Sequence, residues 1–366
     1  MTAYLNGLLS EGAIGEAEFG VLIALGPRSA AELYALCCHF TGLLSRTLPR
    51  GDVSRISFIA ARDTALSFRN TVTSRLGHPR AIGPLGASAP SGAFPAMGQP
   101  HSGPGAPGAG TAASLRPIDH HTALRRQGWP VRDQGDRGTC VAHALVAAWE
   151  QRVHRGGAPT DYSEQFVFWS AKQADGDPGD GTQHAFALQG LQSRGICKEA
   201  DWPYDGNIQA GSVDHGPPPP LAVAQASAQV HAGGGVRRNA TALGLYKQLL
   251  RGPVAIGLPV YADPMDTQFN NWNVPGLYEW GIVAQPPLSS IVIGGHAVCV
   301  VGFEPDPDEP SGNGWFIIRN SWGADFGQQL PGPAGGGAAA AFGPEPGYGQ
   351  VSWDYVDARL WEVCWL

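Results

Sequence analysis

The chain has 366 residues, of which 51 are Gly and 31 are Pro, together about 22% where roughly 12% is usual. Glycine shows no three-residue period, which excludes a collagen-like chain. A hydrophobic content of 43% with 11 Trp excludes a wholly disordered one. Only 15% of residues are charged and the net charge is -7, which argues against the basic footprint of a nucleic-acid-binding protein.

No basic segment precedes the apolar stretch Phe19–Leu25, and no run reaches the roughly 18 apolar residues of a membrane helix. A cytoplasmic chain with no membrane contact is expected. The six cysteines (Cys37, Cys38, Cys140, Cys197, Cys299, Cys364) are few and lack paired spacing, so a disulfide framework is not expected.

Residues 1–76 read as a small all-α module. Ser29-Ala30-Ala31-Glu32 has capping-box form, and Leu33, Leu36, Cys37, Phe40 and Leu44 come after it at helical spacing. Ile56, Ile59, Asp63 and Leu66 mark a further helix after Asp52. Residues 77–114 then hold 9 Gly, 7 Pro and 9 Ala without periodicity, the signature of a disordered linker. As a coil it spans roughly 35 Å, so the module is expected to reach much of the surface of the domain beyond the linker.

Residues 115–366 carry the aromatic residues and the chemistry. Helices are predicted over Cys140–Val153, Tyr162–Ala174, Ala185–Ser193 and Ala242–Leu250. Strands are predicted over Val254–Val260, His296–Phe303, Gly314–Arg319, Gln350–Trp353 and Arg359–Leu366. Helices first and strands later argue for an α+β domain in two lobes. The stretches 206–238 and 327–347, rich in Gly and Pro, read as surface insertions.

Cys140 opens a helix after a glycine-containing turn. A helix N-terminus carries partial positive charge and favours thiolate, so a cysteine placed there can be nucleophilic. Gln134 lies six residues upstream, where its amide can join the Cys140 backbone N–H in an oxyanion hole. An isolated cysteine is more often a small buried apolar residue, but this one is accompanied. Gly294-Gly295-His296 opens an apolar strand, and Asn320-Ser321-Trp322-Gly323 ends another. Asn320 can hold the imidazole and Trp322 can shield that bond, completing nucleophile, base and orienter.

The ordered set resembles the papain family of cysteine peptidases, in a prokaryotic-type form reading Arg137-Gly138-Thr139-Cys140-Val141-Ala142. The further motifs are Tyr162-Ser163-Glu164-Gln165, Gly195-Ile196, Trp202-Pro203-Tyr204, Gly252-Pro253-Val254 and Gly347-Tyr348-Gly349. The resemblance covers residues 115–366. It implies a papain-like two-lobe fold, with a helical left lobe at about 130–212 and a β-barrel right lobe at about 240–366. It also implies a Cys140–His296–Asn320 triad that starts as a thiolate–imidazolium pair, Gln134 in the oxyanion hole, and a polypeptide substrate cleaved through a thioester. Gly138, Gly181, Gly295 and Trp322 are the implied substrate-side positions. No metal and no cofactor are implied. The separation of 156 residues from Cys140 to His296 exceeds the roughly 130–150 usual for the family, and the 206–238 insertion accounts for it.

Departures are informative. The family usually has a cysteine three residues before the nucleophile, disulfide-paired to a C-N-G-G loop. Here that position is Arg137 and the loop reads Gly179-Asp180-Gly181-Thr182. Loss of both partners suits a reducing compartment. His143, one helical turn past Cys140, reads as a packed or cleft-wall residue, because nucleophile and base must converge from separate elements. His120, His121, His184 and His231 read as surface residues, and Cys197 and Cys299 as core.

Two other functions share this scaffold: an acyl transferase or ligase, and a non-catalytic peptide-binding adaptor. The intact Gln/Cys/His/Asn set weighs against the adaptor. The 1–76 module lacks the E-x3-R-x3-F-x2-N-type helix of family propeptides, which leaves an autoinhibitory segment, a recruitment domain for a protein partner, or an inert appendage.

Overall fold

A computed structural model describes residues 3–25, the single positions Leu33, Leu48, Ile56 and Ala60, and 115–366 apart from 121, 123–127, 155–158, 178, 209–215, 264–265, 274–277, 279–280, 285, 287–290, 307–310 and 329–345. The capping segment at 29–32, Cys37 and Cys38, the helical stripe beyond Leu33, the 77–114 linker, His121 and most of the 327–347 insertion therefore lie outside the described residues. Among the described residues, no helix is long and apolar enough to cross a membrane.

The organising helix is α3 (Cys140–Val153), after α1 (Ala3–Ser10), α2 (Glu16–Leu25) and the short β1 (Ile118–Asp119). Every α3 residue from Cys140 to Glu150 is buried. Such a helix has no water-facing stripe and must lie inside the domain. On one side it packs on α4 (Glu164–Asp175) and α5 (His184–Arg194); on the other it reaches Ala255, Ala297 and Cys364. Ser163 caps α4, its hydroxyl accepting from Phe166 N at 3.0 Å, and Gly176 ends it in the left-handed region at φ +64°.

The right lobe is antiparallel. Its strands are β2 (Gly235–Arg238), β3 (Val254–Asp263), β4 (Asp266–Asn270), β5 (Ile291–Pro305), β6 (Gly314–Arg319), β7 (Tyr348–Ser352) and β8 (Glu362–Trp365). Pairing runs β2-β8-β3-β5-β6-β7, with β1 added to β5 and β4 to β3. Among the described residues the two ends of that path, β2 and β7, do not pair. The inner face buries Val254, Ile256, Leu258, Val298, Val300, Phe303, Phe316 and Ile318 against helix α7 (Ala242–Leu249) and helix α8 (Trp353–Arg359).

Three sequence expectations change. Residues 220–238 are not a bare surface insertion. Helix α6 (Pro220–Ser227) buries Ala222 and Ala226, and β2 extends the sheet, because small residues every fourth position let the helix sit close to Phe166 and Cys197. His184 is fully buried, not on the surface: its Nδ1 lies 2.7 Å from Glu362 Oε1, a hydrogen bond that satisfies that ring nitrogen and ties α5 to β8. The N-terminal segment does not float. Leu5, Leu8, Ile14, Leu22, Leu33, Leu48, Ile56 and Ala60 form one apolar cluster with Ile282, Ala284 and Trp315 of the right lobe.

Candidate active site

The N-terminus of α3 is left open. Thr139 occupies the cap position but makes no side-chain cap bond; its Oγ1 lies 2.7 Å from Tyr204 Oη instead. The positive end of the helix therefore lies at Cys140. The Cys140 Sγ accepts from Ala297 N at 3.3 Å, so the thiol lies against β5 one residue beyond His296.

His296 Nε2 donates to Asn320 Oδ1 at 2.7 Å, which leaves Nδ1 as the basic nitrogen. Asn320 ends β6, and its Oδ1 also accepts from Ser321 N at 2.9 Å. Trp322 stacks on the imidazole at 4.4 Å and 29°, and Trp272 meets it edge-on at 5.0 Å. Tyr278 stacks in turn on Trp322, and Phe326 meets both. Trp272 is a site residue that sequence reasoning misses. It sits in an Asn-rich run, Asn270-Asn271-Trp272-Asn273, in which the Asn270 and Asn273 side chains accept from backbone N–H groups of the run and Asn271 accepts from Tyr261 N, and a tryptophan there is the available signal.

Burial pushes His296 down to about 4, against the Asn320 hydrogen bond, which raises it. The physical reason is the dry aromatic surround, which penalises separated charges.

Gln134 is buried and its amide is aimed from both ends. Nε2 donates to Arg137 O at 2.7 Å, and Oε1 accepts from Ser321 Oγ at 2.6 Å. One N–H of the amide remains for an oxyanion. The Gln134 backbone N donates to Ser321 O at 2.8 Å, stitching the oxyanion loop to the Asn320 turn. Ser321 is a second residue that sequence reasoning uses only as a motif letter.

A buried ion cluster lies beneath. Glu150, on α3, takes Arg319 Nη1 at 3.3 Å and Arg132 Nη2 at 3.5 Å, and also accepts from Tyr162 N. Arg132 is also paired with Asp161, and its Nε lies 3.0 Å from Glu164. Burial pushes Glu164 up to about 8, with Arg132 opposing. Arg319 precedes Asn320 and Arg132 precedes Gln134 by two, so one carboxylate joins the three segments that carry the site. A small cavity with room for about one water separates this cluster from the triad, lined among others by Arg319, Asn320 and His143.

Of the substrate-side positions, Gly138 and Gly181 are in close approach: a Cβ on Gly138 would lie 2.7 Å from Gly181 N. Asp180 holds them together, accepting from Gly138 N at 2.7 Å and Gly181 N at 3.2 Å. Lys172 Nζ donates to Gly181 O at 3.0 Å, so both backbone groups of Gly181 are engaged. Gly295 pairs with Pro259 on β3. His143 is buried, with Nδ1 3.0 Å from Thr139 O and its ring edge-on to Tyr204; burial pushes it down to about 3. Among the described residues no cluster of His, Cys, Asp and Glu could hold a metal ion.

Residues 118–330 match the profile of the papain family cysteine proteases. The chain belongs to the papain family. Cathepsin J of Rattus norvegicus is 30% identical over 209 residues, 56% of this chain and 56% of that protein. Cysteine proteinase 1 of Entamoeba histolytica is 28% identical over 207 residues, 55% of this chain and 58% of that protein. The chain thus aligns with a little over half the length of these curated relatives. Both are eukaryotic and lend no support to the prokaryotic-type expectation. The fold is similar to that of xylellain, a cysteine protease from Xylella fastidiosa, with a TM-score of 0.52 at 21% identity over 69% of this chain and 87% of that one.

Proposed function

We propose that this papain-family chain is a cysteine endopeptidase acting through Cys140, His296 and Asn320. The observation that carries the reading is the pairing of a 2.7 Å His296–Asn320 bond with a helix-N-terminal thiol held 3.3 Å from Ala297 N. The Cys140 thiolate, its proton held on His296 Nδ1, bonds through Sγ to the peptide carbonyl carbon. The oxyanion is held by the Cys140 N–H and the free N–H of Gln134. Collapse breaks the C–N bond, His296 returns the proton to the departing amine, and a thioester remains. Water then attacks with His296 as base; the C–S bond breaks, and the thiolate–imidazolium pair is restored.

Family membership and the aimed Gln134 amide support hydrolysis, and no particular contact favours transfer to an amine. The reading extends to a reducing, cytoplasmic setting, in keeping with Arg137 and the Gly179-Asp180-Gly181-Thr182 loop standing where the family's disulfide partners would be. The N-terminal segment is read as a recruitment or autoinhibitory element. Cys140→Ala in the full chain is expected to abolish peptide hydrolysis and labelling by a thiol-directed epoxide, whereas Cys299→Ala leaves labelling intact. Full hydrolysis by Cys140→Ala would sink the mechanism.

A further inference from the structure

Arg137 stands three residues before Cys140, where the resembled family carries a disulfide-linked cysteine. Arginine is rarely buried unless its guanidinium is fully used, and Arg137 is 0% exposed. Its Nη1 donates to Gln165 Oε1 at 2.6 Å and to Asp205 O at 2.8 Å. Its Cζ lies 4.9 Å from the Tyr204 ring centroid and 5.5 Å from that of Phe168. A planar fork between two rings, bonded to an amide and a carbonyl, has one orientation; a flexible ammonium would have many.

The main chain of the same residue aims the oxyanion amide. Arg137 O accepts Gln134 Nε2 at 2.7 Å and Thr139 N at 2.9 Å, while Arg137 N reaches back to Gln134 O at 3.4 Å. Tyr204, the ring under the guanidinium, donates its hydroxyl to that Gln134 carbonyl at 2.8 Å. Side chain and backbone of Arg137 therefore grip one turn from both sides. The loop that the missing disulfide would reach is tied by Asp180 to Gly138 N instead.

We propose that Arg137 is a positioning residue for the oxyanion hole: its buried guanidinium locks the turn whose carbonyl orients Gln134. The inference rests on the peptidase reading. It explains why the site needs no disulfide, since two cation–π contacts and two hydrogen bonds fix the turn in a reducing medium. It also separates two functions of the α3 entrance. Thiol reactivity depends on the helix end and His296; oxyanion binding depends on the Arg137 turn.

The test compares the full chain with Arg137→Lys, which keeps the charge but loses the fork, and Arg137→Met, which keeps the length alone. For Arg137→Lys, kcat on a peptide substrate is expected to fall on the order of 10²-fold, with KM changed less than about threefold. Affinity for a peptide aldehyde, whose hemithioacetal adduct places its oxygen in the oxyanion hole, falls in parallel. Alkylation of Cys140 by iodoacetamide, read on its own peptide by mass spectrometry, stays within about twofold because that reaction forms no oxyanion. Unchanged kcat in folded Arg137→Lys overturns the proposal. So does an equal fall in kcat, aldehyde affinity and alkylation, which marks general loosening. If Arg137→Met does not fold, Arg137→Lys carries the test. A wild-type chain without turnover or aldehyde binding removes the peptidase reading and this inference together, whereas wild-type turnover with an unaffected Arg137→Lys removes this inference alone.

Discussion

The two halves of the site that meet at Cys140 and His296 are held by different forces. On the Cys140 side the fixings are directional: Gln134, Arg137, Thr139 and Asp180 are linked by hydrogen bonds of 2.6–2.8 Å to named partners, over the Glu150 ion cluster. On the His296 side a single polar bond to Asn320 is enclosed by Trp272 and Trp322. The contrast reflects the task of each half. Oxyanion donors must point at a small target, and hydrogen bonds set direction. An imidazole must keep its ring plane and stay dry, and stacked indoles do both.

The largest break in this contrast is the base itself. His296→Ala is expected to lower kcat/KM about 10⁴-fold, read by steady-state peptide hydrolysis; activity near wild type would remove His296 from the mechanism. Next is the polar side. Glu150→Ala leaves Arg132 and Arg319 buried without their shared carboxylate and is expected to cost about 3–5 kcal/mol of stability, read by urea unfolding. On the aromatic side, Trp272→Phe loses the 3.3 Å bond to Pro259 O and part of the packing on His296. It should cost about 1–3 kcal/mol, with a larger loss in activity than Glu150→Ala shows per kcal/mol, because Trp272 touches the base directly.

The smallest effect is in pH. His143 is buried neutral, pushed to about 3. The unfolded chain binds a proton there below roughly pH 6.5, while the folded chain does not. This contribution is complete above that pH and is lost as pH falls toward 3. Glu164 acts oppositely: raised to about 8, its contribution is complete at low pH and is lost as pH rises through 8. His143→Gln should therefore reduce the stability loss between pH 7 and 5 by up to about 2 kcal/mol, measured from urea midpoints at the two values. An unchanged difference between them would show that His143 is protonated in the folded chain.

Much of this is legible in the chain. The Cys140 helix is placed to the residue, and the α4, α5 and α7 helices and the β3, β5, β6, β7 and β8 strands within a few residues, because each has a strong apolar period or a capping residue. The extension of β5 back to Ile291 is not legible, since Gly294 and Gly295 interrupt the pattern and only pairing with β3 makes it a strand. Helix α8 is hidden between two strands, Trp353 reading as the end of one and Arg359 as the start of the next. His184 reads as exposed because a histidine at a helix start looks so until Glu362, 178 residues later, is brought beside it.

The order of motifs from Gln134 to Trp322 marks the chemistry, since turn residues and site residues are local in the chain. Which groups aim the site is decided elsewhere. Trp272, Ser321, Glu150 and the grip of Arg137 on its turn are contacts between segments tens to hundreds of residues apart. Local composition carries no record of such distances; only the folding of β5 and β6 onto α3 creates them.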